Sequence, residues 1–346
     1  MIFLTCELTY KASSPHKTDE GFALVMVLFM IMLLTLLVFR IIDHAESFLR
    51  ESEIFHDNTQ AYYLARSGIE AGKLEIIGSS LAAAKSGQNY TGLDQPWATP
   101  LINFPVSSNM FLSGIVTDED SKLNLNQISS NGTPNLHRVG QLEKLFTLLG
   151  LPVSVIPAIE VWVSGTGTGQ PPPAGAYASQ IPSYRPHGAP MDVLSELHQV
   201  MGMTESQFQA LEPYVTAESD GVVNLNTASE TVIESLDPSM TPQIAASITQ
   251  SRPFRTMQAV SQVVPPAVLA NIQGDITIVS QTFSISAVGT TGNTRQAARA
   301  YLTVNGSQAQ YLSFRVGGNR LLGQIESLIE SAPQSSQTTN LTLPSP

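Results

Sequence analysis

The chain has 346 residues, a net charge of −11, only 13% charged residues and a single cysteine, Cys6. Its length allows two or more domains with a sizeable core. The acidic balance repels phosphate backbones, which argues against nucleic acid as a partner and leaves divalent cations compatible. Lone Cys6 excludes an intrachain disulfide, so the redox compartment is not legible from cysteine usage.

Residues 1–21 carry Lys11, His16 and Lys17 and end Asp19-Glu20-Gly21. Removing them leaves a chain without cysteine and with a net charge of −10. Phe22–Phe39 then forms an uncharged, almost wholly apolar run of 18 residues closed by Arg40. As a helix it spans about 27 Å, enough for a bilayer core. No A-x-A-like signal cleavage site follows Phe39, so an uncleaved anchor is one reading. The other is a prepilin leader, because Gly21 directly before Phe22 and an apolar run resembles the type IV prepilin cleavage site. Two features depart from that pattern. Asp19 and Glu20 stand where basic residues are usual, and Met26 occupies the fifth mature position, where ordinary pilins carry Glu. A carboxylate in the bilayer needs a partner such as a neighbouring N-terminal amine, and Met26 needs none.

Helical periodicity continues from Arg40 to about Gly78, with Ile41, Ala45, Phe48 and Phe55, then Tyr62, Ala65, Ile69 and Leu74, on one face. From Phe22 to Ile77 such a helix measures about 84 Å. His44 and His56, twelve residues apart, are too distant to share a metal and are expected at the surface.

Residues 79–110 read as loop. Met110–Leu125 reads as two strands joined at Asp118-Glu119-Asp120-Ser121. That acidic turn is expected to be solvated; calcium held by Asp118, Glu119 and Asp120 is the alternative, since hard cations take carboxylate oxygens. A weak internal repeat follows. Leu123-Asn124-Leu125-Asn126 returns one hundred residues later as Val223-Asn224-Leu225-Asn226. Helical patterns follow each copy: Val139–Leu149 and Pro157–Val163, then Thr231–Leu236 and Pro242–Ser251, with Thr227 or Ser229 as an N-cap. These units resemble helix-hairpin-helix or SAM-like modules. The hairpin turn Asp237-Pro238-Ser239-Met240-Thr241 lacks the Gly-x-Gly whose amides bind DNA phosphate, which points to a structural role.

Between the copies, 164–190 is a Gly/Pro-rich loop. Gly165, Gly167 and Gly169 lack nucleotide-loop spacing, a Walker lysine is missing, and Pro171-Pro172-Pro173 would stop any following helix. A flexible loop is therefore expected. Asp192–Met201 reads as a helix capped by Asp192, and Glu205–Leu211 as another. Asp192, Ser195 and His198 lie too far round one short helix for a catalytic triad, and His137 and His187 are isolated. No HExxH, CxxC or G-x-S-x-G occurs, so no enzyme is expected. Ile276–Val288 and Arg299–Val316 read as three strands with a hairpin at Asn305-Gly306, and 317–346 as a short helix plus a Ser/Thr/Pro tail.

The order of these pieces resembles the large minor pseudopilin of type II secretion systems, the GspK family. The residues that carry the likeness are Gly21-Phe22 with hydrophobic Met26, Ala61-Tyr62-Tyr63-Leu64-Ala65-Arg66-Ser67-Gly68-Ile69-Glu70, and Thr117 to Asn126. Tyr184-Arg185-Pro186, Leu194–Gly202 with Met203-Thr204, and Val223–Ala228 complete it. The resemblance implies an α+β, pilin-like fold: a long N-terminal helix against an antiparallel sheet, with a large α-helical insertion of SAM-like or helix-hairpin-helix-like units. Its parts would be a leader (1–21), a transmembrane helix (22–39), its periplasmic continuation (40–78) and first strands (79–125). The insertion (126–275, in units of about 126–220 and 221–275), closing strands (276–316) and a tail (317–346) would follow. It implies a single-pass inner-membrane protein with a periplasmic domain, at the tip of the pseudopilus. Its partners would be the other minor pseudopilins, the major pseudopilin, prepilin peptidase and the assembly platform. A minor pilin of a type IV pilus and a membrane-anchored DNA-uptake protein are the alternatives. Family members can bind calcium after a Trp-containing helix; here Trp162-Val163-Ser164-Gly165-Thr166 is followed by few acids until Asp192, so no ligands are assigned.

Overall fold

The computed structural model describes residues 18–130, 132–168, 170–173 and 175–331. Most of the leader, Gly169 and the tail from 332 onward lie outside the described residues. The chain divides into two compact units, residues 1–57 and 58–346.

Helix α1 covers Thr18–Lys85. It runs past the expected end at Gly78, because nothing in Ser79-Ser80-Leu81-Ala82-Ala83-Ala84 stops a helix and Ser79 and Ala83 are buried on the domain. In the first unit every apolar side chain from Phe22 to Phe39 is exposed, and so are Ile41, Phe48 and Phe55. In the second unit Ala61, Leu64, Ala65, Ile69, Ile76 and Ala83 are buried. Leu74 is 66% exposed and faces outward, contrary to the expected stripe.

That stripe lies on a five-stranded antiparallel sheet in the order β1-β2-β9-β10-β11. β1 (Leu101–Ser107) pairs with β2 (Met110–Asp118), and β2 pairs with β9 (Thr282–Thr291). β10 (Thr294–Asn305) and β11 (Gln308–Val316) complete it, turning at Gly306 with φ +61°. The sequence reading missed β1 because of Pro105. An edge strand tolerates a proline, since one of its hydrogen-bonding sides is unused. Residues Phe283, Ile285 and Ala287 of β9 and Ala298, Ala300 and Leu302 of β10 join Leu64, Ala65, Ile69 and Ile76 in one core. Small residues set the approach of helix to sheet. A Cβ built on Gly289 would collide with the Ala61 carbonyl oxygen and stand 2.7 Å from the Ala65 nitrogen. One on Gly68 would come 2.8 Å from Leu112 Cδ1.

The chain leaves the sheet after β2 and returns at β9. The expected strand pair within Met110–Leu125 is instead the single strand β2, a 3-10 turn over Glu119–Ser121, and the two-residue β3 (Leu123–Asn124). A small hairpin, β4 (Ser129–Ser130) and β5 (Thr133–Pro134), precedes α2 (Leu136–Leu148) and α3 (Ile156–Ser164). Leu194–Gln199 is a 3-10 helix rather than an α-helix, and Asp192 does not cap it. Instead Glu196 accepts hydrogen bonds from the backbone nitrogens of Asp192 (2.8 Å) and Val193 (3.2 Å). Then come α4 (Glu205–Leu211), β6 (Val215–Thr216), β7 (Val223–Asn224) and α5 (Glu230–Ser235), capped by Ser229. α6 (Pro242–Gln250), α7 (Met257–Val263), α8 (Pro266–Ile272) and β8 (Ile276–Thr277) close the insertion. One continuous core runs through it, from Leu123 through Phe146, Trp162 and Phe208 to Phe254 and Ile276. Finally α9 (Asn319–Ser331) lies on the sheet face opposite α1, with Ile325 and Ile329 against Val288 and Ala297.

Candidate functional site

The structure gives the internal repeat a physical meaning. β3 pairs in parallel with β6, and β7 pairs in parallel with β8. In each copy the first asparagine turns its Oδ1 onto the backbone nitrogen of the second, at 2.8 Å for Asn124 and Asn126 and 2.9 Å for Asn224 and Asn226. The second asparagine then clasps a distant strand of chain. Asn126 Oδ1 accepts from Met191 N (2.7 Å) while its Nδ2 donates to the carbonyls of Met191 (3.0 Å) and Ala217 (2.9 Å). Asn226 repeats this with Phe254 N (2.7 Å) and the carbonyls of Phe254 (2.9 Å) and Ile278 (3.5 Å). Both clasped residues, Met191 and Phe254, follow a proline. An asparagine amide offers donors and an acceptor in one plane, which is what two carbonyls and one N–H require. The repeat is therefore an architectural clasp used twice.

Asp118, Glu119 and Asp120 sit where β2 gives way to the insertion, and they are 3%, 2% and 1% exposed. The expectation of a solvated turn is thus overturned. Polar groups from both returning segments engage them instead, although Asp120 Oδ1 is left without a hydrogen-bond partner. Asp118 Oδ2 accepts from Thr227 Oγ1 (2.5 Å), Ser280 Oγ (2.5 Å) and Asn224 Nδ2 (3.2 Å). Asp120 Oδ2 accepts from the backbone nitrogens of Gln281 (2.7 Å) and Thr282 (3.1 Å). Glu119 takes Ser284 Oγ at 2.6 Å and pairs with Lys122 at 3.1 Å. The three carboxylates therefore serve different partners. Among the described residues no group of three or more His, Cys, Asp or Glu side chains is placed to hold a metal.

Burial drives the Asp118 carboxyl above its ordinary value, partly offset by the hydrogen bonds it accepts. Asp120 is pushed up by burial and then by the charge of Asp118. Glu218, buried and facing Glu119, is pushed up to about 7, with Arg315 at 4.0 Å a partial counterweight. Burial also penalises Glu119, but the Lys122 charge and hydrogen bonds from Ser284, Thr216 and Lys122 outweigh it and hold that carboxyl low. The raised groups keep protons in the fold that the unfolded chain has already lost. Their stabilisation is complete below the ordinary carboxylate range and is lost as pH rises through about 7. Thermal melts of the full chain should accordingly give a midpoint falling by roughly 5 °C between pH 5.5 and 8. Glu218→Gln should flatten that slope.

The remaining candidates find structural employment. His198 Nδ1 faces the backbone carbonyl of Ser195 at 2.9 Å and its Nε2 faces Glu205 at 3.0 Å, so Asp192, Ser195 and His198 form no triad. His137 bonds Asp275 at 2.5 Å, and His187 bonds Glu196 at 3.1 Å. His44 and His56 are exposed on α1. The long loop is anchored rather than free: Gly188 N donates to Trp162 O at 2.7 Å, and Thr168 Oγ1 donates to buried Glu160 at 2.8 Å. In the hairpin turn, the Asp237 side chain accepts from Ser239 N at 2.7 Å. Lys144 Nζ donates to the carbonyls of Asp237 (2.8 Å) and Met240 (2.7 Å). That turn presents a carboxylate and engaged backbone where a phosphate would need open amides.

Two family models described as type II secretion system protein K match residues 121–220 and 223–285. Each begins within two residues of one Asn clasp strand. Over these two stretches the chain is similar to the type II secretion system protein K family. The curated type II secretion system protein K of Klebsiella pneumoniae is 28% identical over 228 residues, which cover 61% of this chain and 67% of that protein. Among solved structures, the GspK–GspI–GspJ complex from the enterotoxigenic Escherichia coli type 2 secretion system contains a chain of the same fold. It aligns with a TM-score of 0.65 at 18% identity, over 78% of this chain and 100% of that one. Outside the matched stretches, α1 is the one helix among the described residues long and apolar enough to cross a membrane.

Proposed function

We propose that this minor pseudopilin of type II secretion sits at the tip of the pseudopilus and initiates or caps its assembly, without catalysing a reaction. The observation that carries the reading is α1, whose N-terminal part exposes an unbroken apolar run and whose C-terminal part is the packing helix of the sheet. Such an element is stored in the inner membrane before assembly and packs among other helices afterwards. On this reading prepilin peptidase cuts between Gly21 and Phe22, and the folded domain lies in the periplasm. Met26 supplies no carboxylate for an amine of a subunit above, which suits a terminal position. By analogy with the complex of the Escherichia coli relative, two further minor pseudopilins dock beside this chain, with the major pseudopilin below and the assembly platform in the membrane.

The test is co-purification of the full chain with the other minor pseudopilins of its own system, alongside secretion in a strain lacking it. A stable complex and loss of secretion are expected. Undiminished secretion without the chain, together with no association, would overturn the proposal.

A further inference from the structure

Helix α9 occupies a position no part of the assembly reading uses. It lies across the sheet face that α1 leaves open, and it touches both the sheet and the insertion. Toward the sheet, Leu321, Leu322, Ile325 and Ile329 pack with Ile115, Val288 and Ala297, and Glu326 pairs with Arg295 of β10 at 2.5 Å. The apolar contact is small beside the cores of the sheet and of the insertion. Toward the insertion the contacts are polar. Arg320 donates to Glu205 at 2.9 Å, reaches His198, and lies with its guanidinium 5.6 Å from the centre of the Phe208 ring. Gln324 donates to both oxygens of Glu212 at 3.3 Å. The Arg320 contacts are exposed and those of Gln324 part-buried, and exposed ionic contacts each contribute little.

Two further observations bear on how α9 is held. It hangs from Gly317 and Gly318, both left-handed, with φ of +78° and +86°. Gly317 is still tied to β10, its N donating to the Ala297 carbonyl at 2.8 Å, so the chain turns away from the sheet at Gly318, where glycine has backbone freedom. Beneath it lies a cavity of about 560 Å³ between the sheet, α4 and α9 itself. The cavity wall carries Lys122, Arg299 and Arg320 against Glu119, Glu205 and Glu212. That balance favours no ion of either sign, and the space is a seam between two modules. Across it Arg299 and Glu212 stand 4.0 Å apart.

We propose that α9 is a releasable strap, hinged at Gly318, that ties the helical insertion to the sheet and lets the two shift when it lifts. The physical basis is a hierarchy of holds. Each module has its own large core, whereas the strap has four apolar side chains, one ion pair to β10 and a few polar contacts to the insertion. Local opening is drawn from the least stable elements, and this is one of them. Because strap and insertion are coupled, loosening either must loosen the other by the same factor.

Hydrogen exchange of the full chain in detergent tests this. Amides of α9 are expected to exchange far faster than those of β9 and β10. Combining Arg320→Ala with Gln324→Ala should speed exchange over 205–214 by roughly tenfold while β9 and β10 stay unchanged. Glu212→Gln should speed α9 in return. Protection of α9 equal to that of β9, or unaltered exchange over 205–214 when the polar contacts are removed, would overturn the strap.

Discussion

Replacing Gly289 by alanine is expected to cost the sheet domain about 3 kcal/mol or more, a large share of the stability of an ordinary domain. The reason is backbone, not side chain. The added Cβ would collide with the carbonyl oxygen of Ala61 and crowd the nitrogen of Ala65, and neither can swing aside as a rotamer could. To accept it, α1 would have to lift from β9 along the stripe where Gly68 and Gly72 already touch Leu112 and Ile285. The comparison is Gly140→Ala in α2, where a Cβ meets nothing within 4 Å. There alanine should be neutral or stabilising by about 0.5–1 kcal/mol. Denaturant midpoints of the two variants, measured side by side, check the prediction.

The second large effect is expected at the clasps. Asn226→Ala removes the amide that bonds Phe254 N, Phe254 O and Ile278 O inside a fully buried site. Orphaned buried groups cost about 1–3 kcal/mol each, so a loss of roughly 3–5 kcal/mol is expected. Asn126→Ala should cost less, since Met191 and Ala217 are held by the same pattern of bonds but at a part-buried site. Asp118→Ala belongs with them, because it strands the hydroxyls of Thr227 and Ser280 together. If chemical denaturation gave less than about 1 kcal/mol for Asn226→Ala, the clasp would be ornamental.

These effects also mark what the sequence made legible. The membrane run, the Asn305-Gly306 hairpin and most helices of the insertion are local patterns, and local patterns survive in a linear reading. The Leu-Asn-Leu-Asn repeat was visible as spelling, but its purpose was not, since its partners Met191 and Phe254 lie 65 and 28 residues away. β1 was hidden by Pro105, whose tolerance depends on lying at an edge. Asp118-Glu119-Asp120 misled most. Three acids in a row read as a wet turn, and only the crossing of β2, β7 and the start of β9 at one point buries them and supplies their hydrogen-bond partners. The α7 and α8 helices went unread because Pro265 and Pro266 break the pattern between them, although a proline is tolerated at a helix start.

The central claim is that this chain is made as a prepilin and assembled from the membrane. Intact-mass and N-terminal analysis of the protein, made with and without active prepilin peptidase, tests it most directly. The expected product begins at Phe22 when the peptidase is active and at Met1 when it is absent. A chain that still begins at Met1 beside an active peptidase would contradict the account.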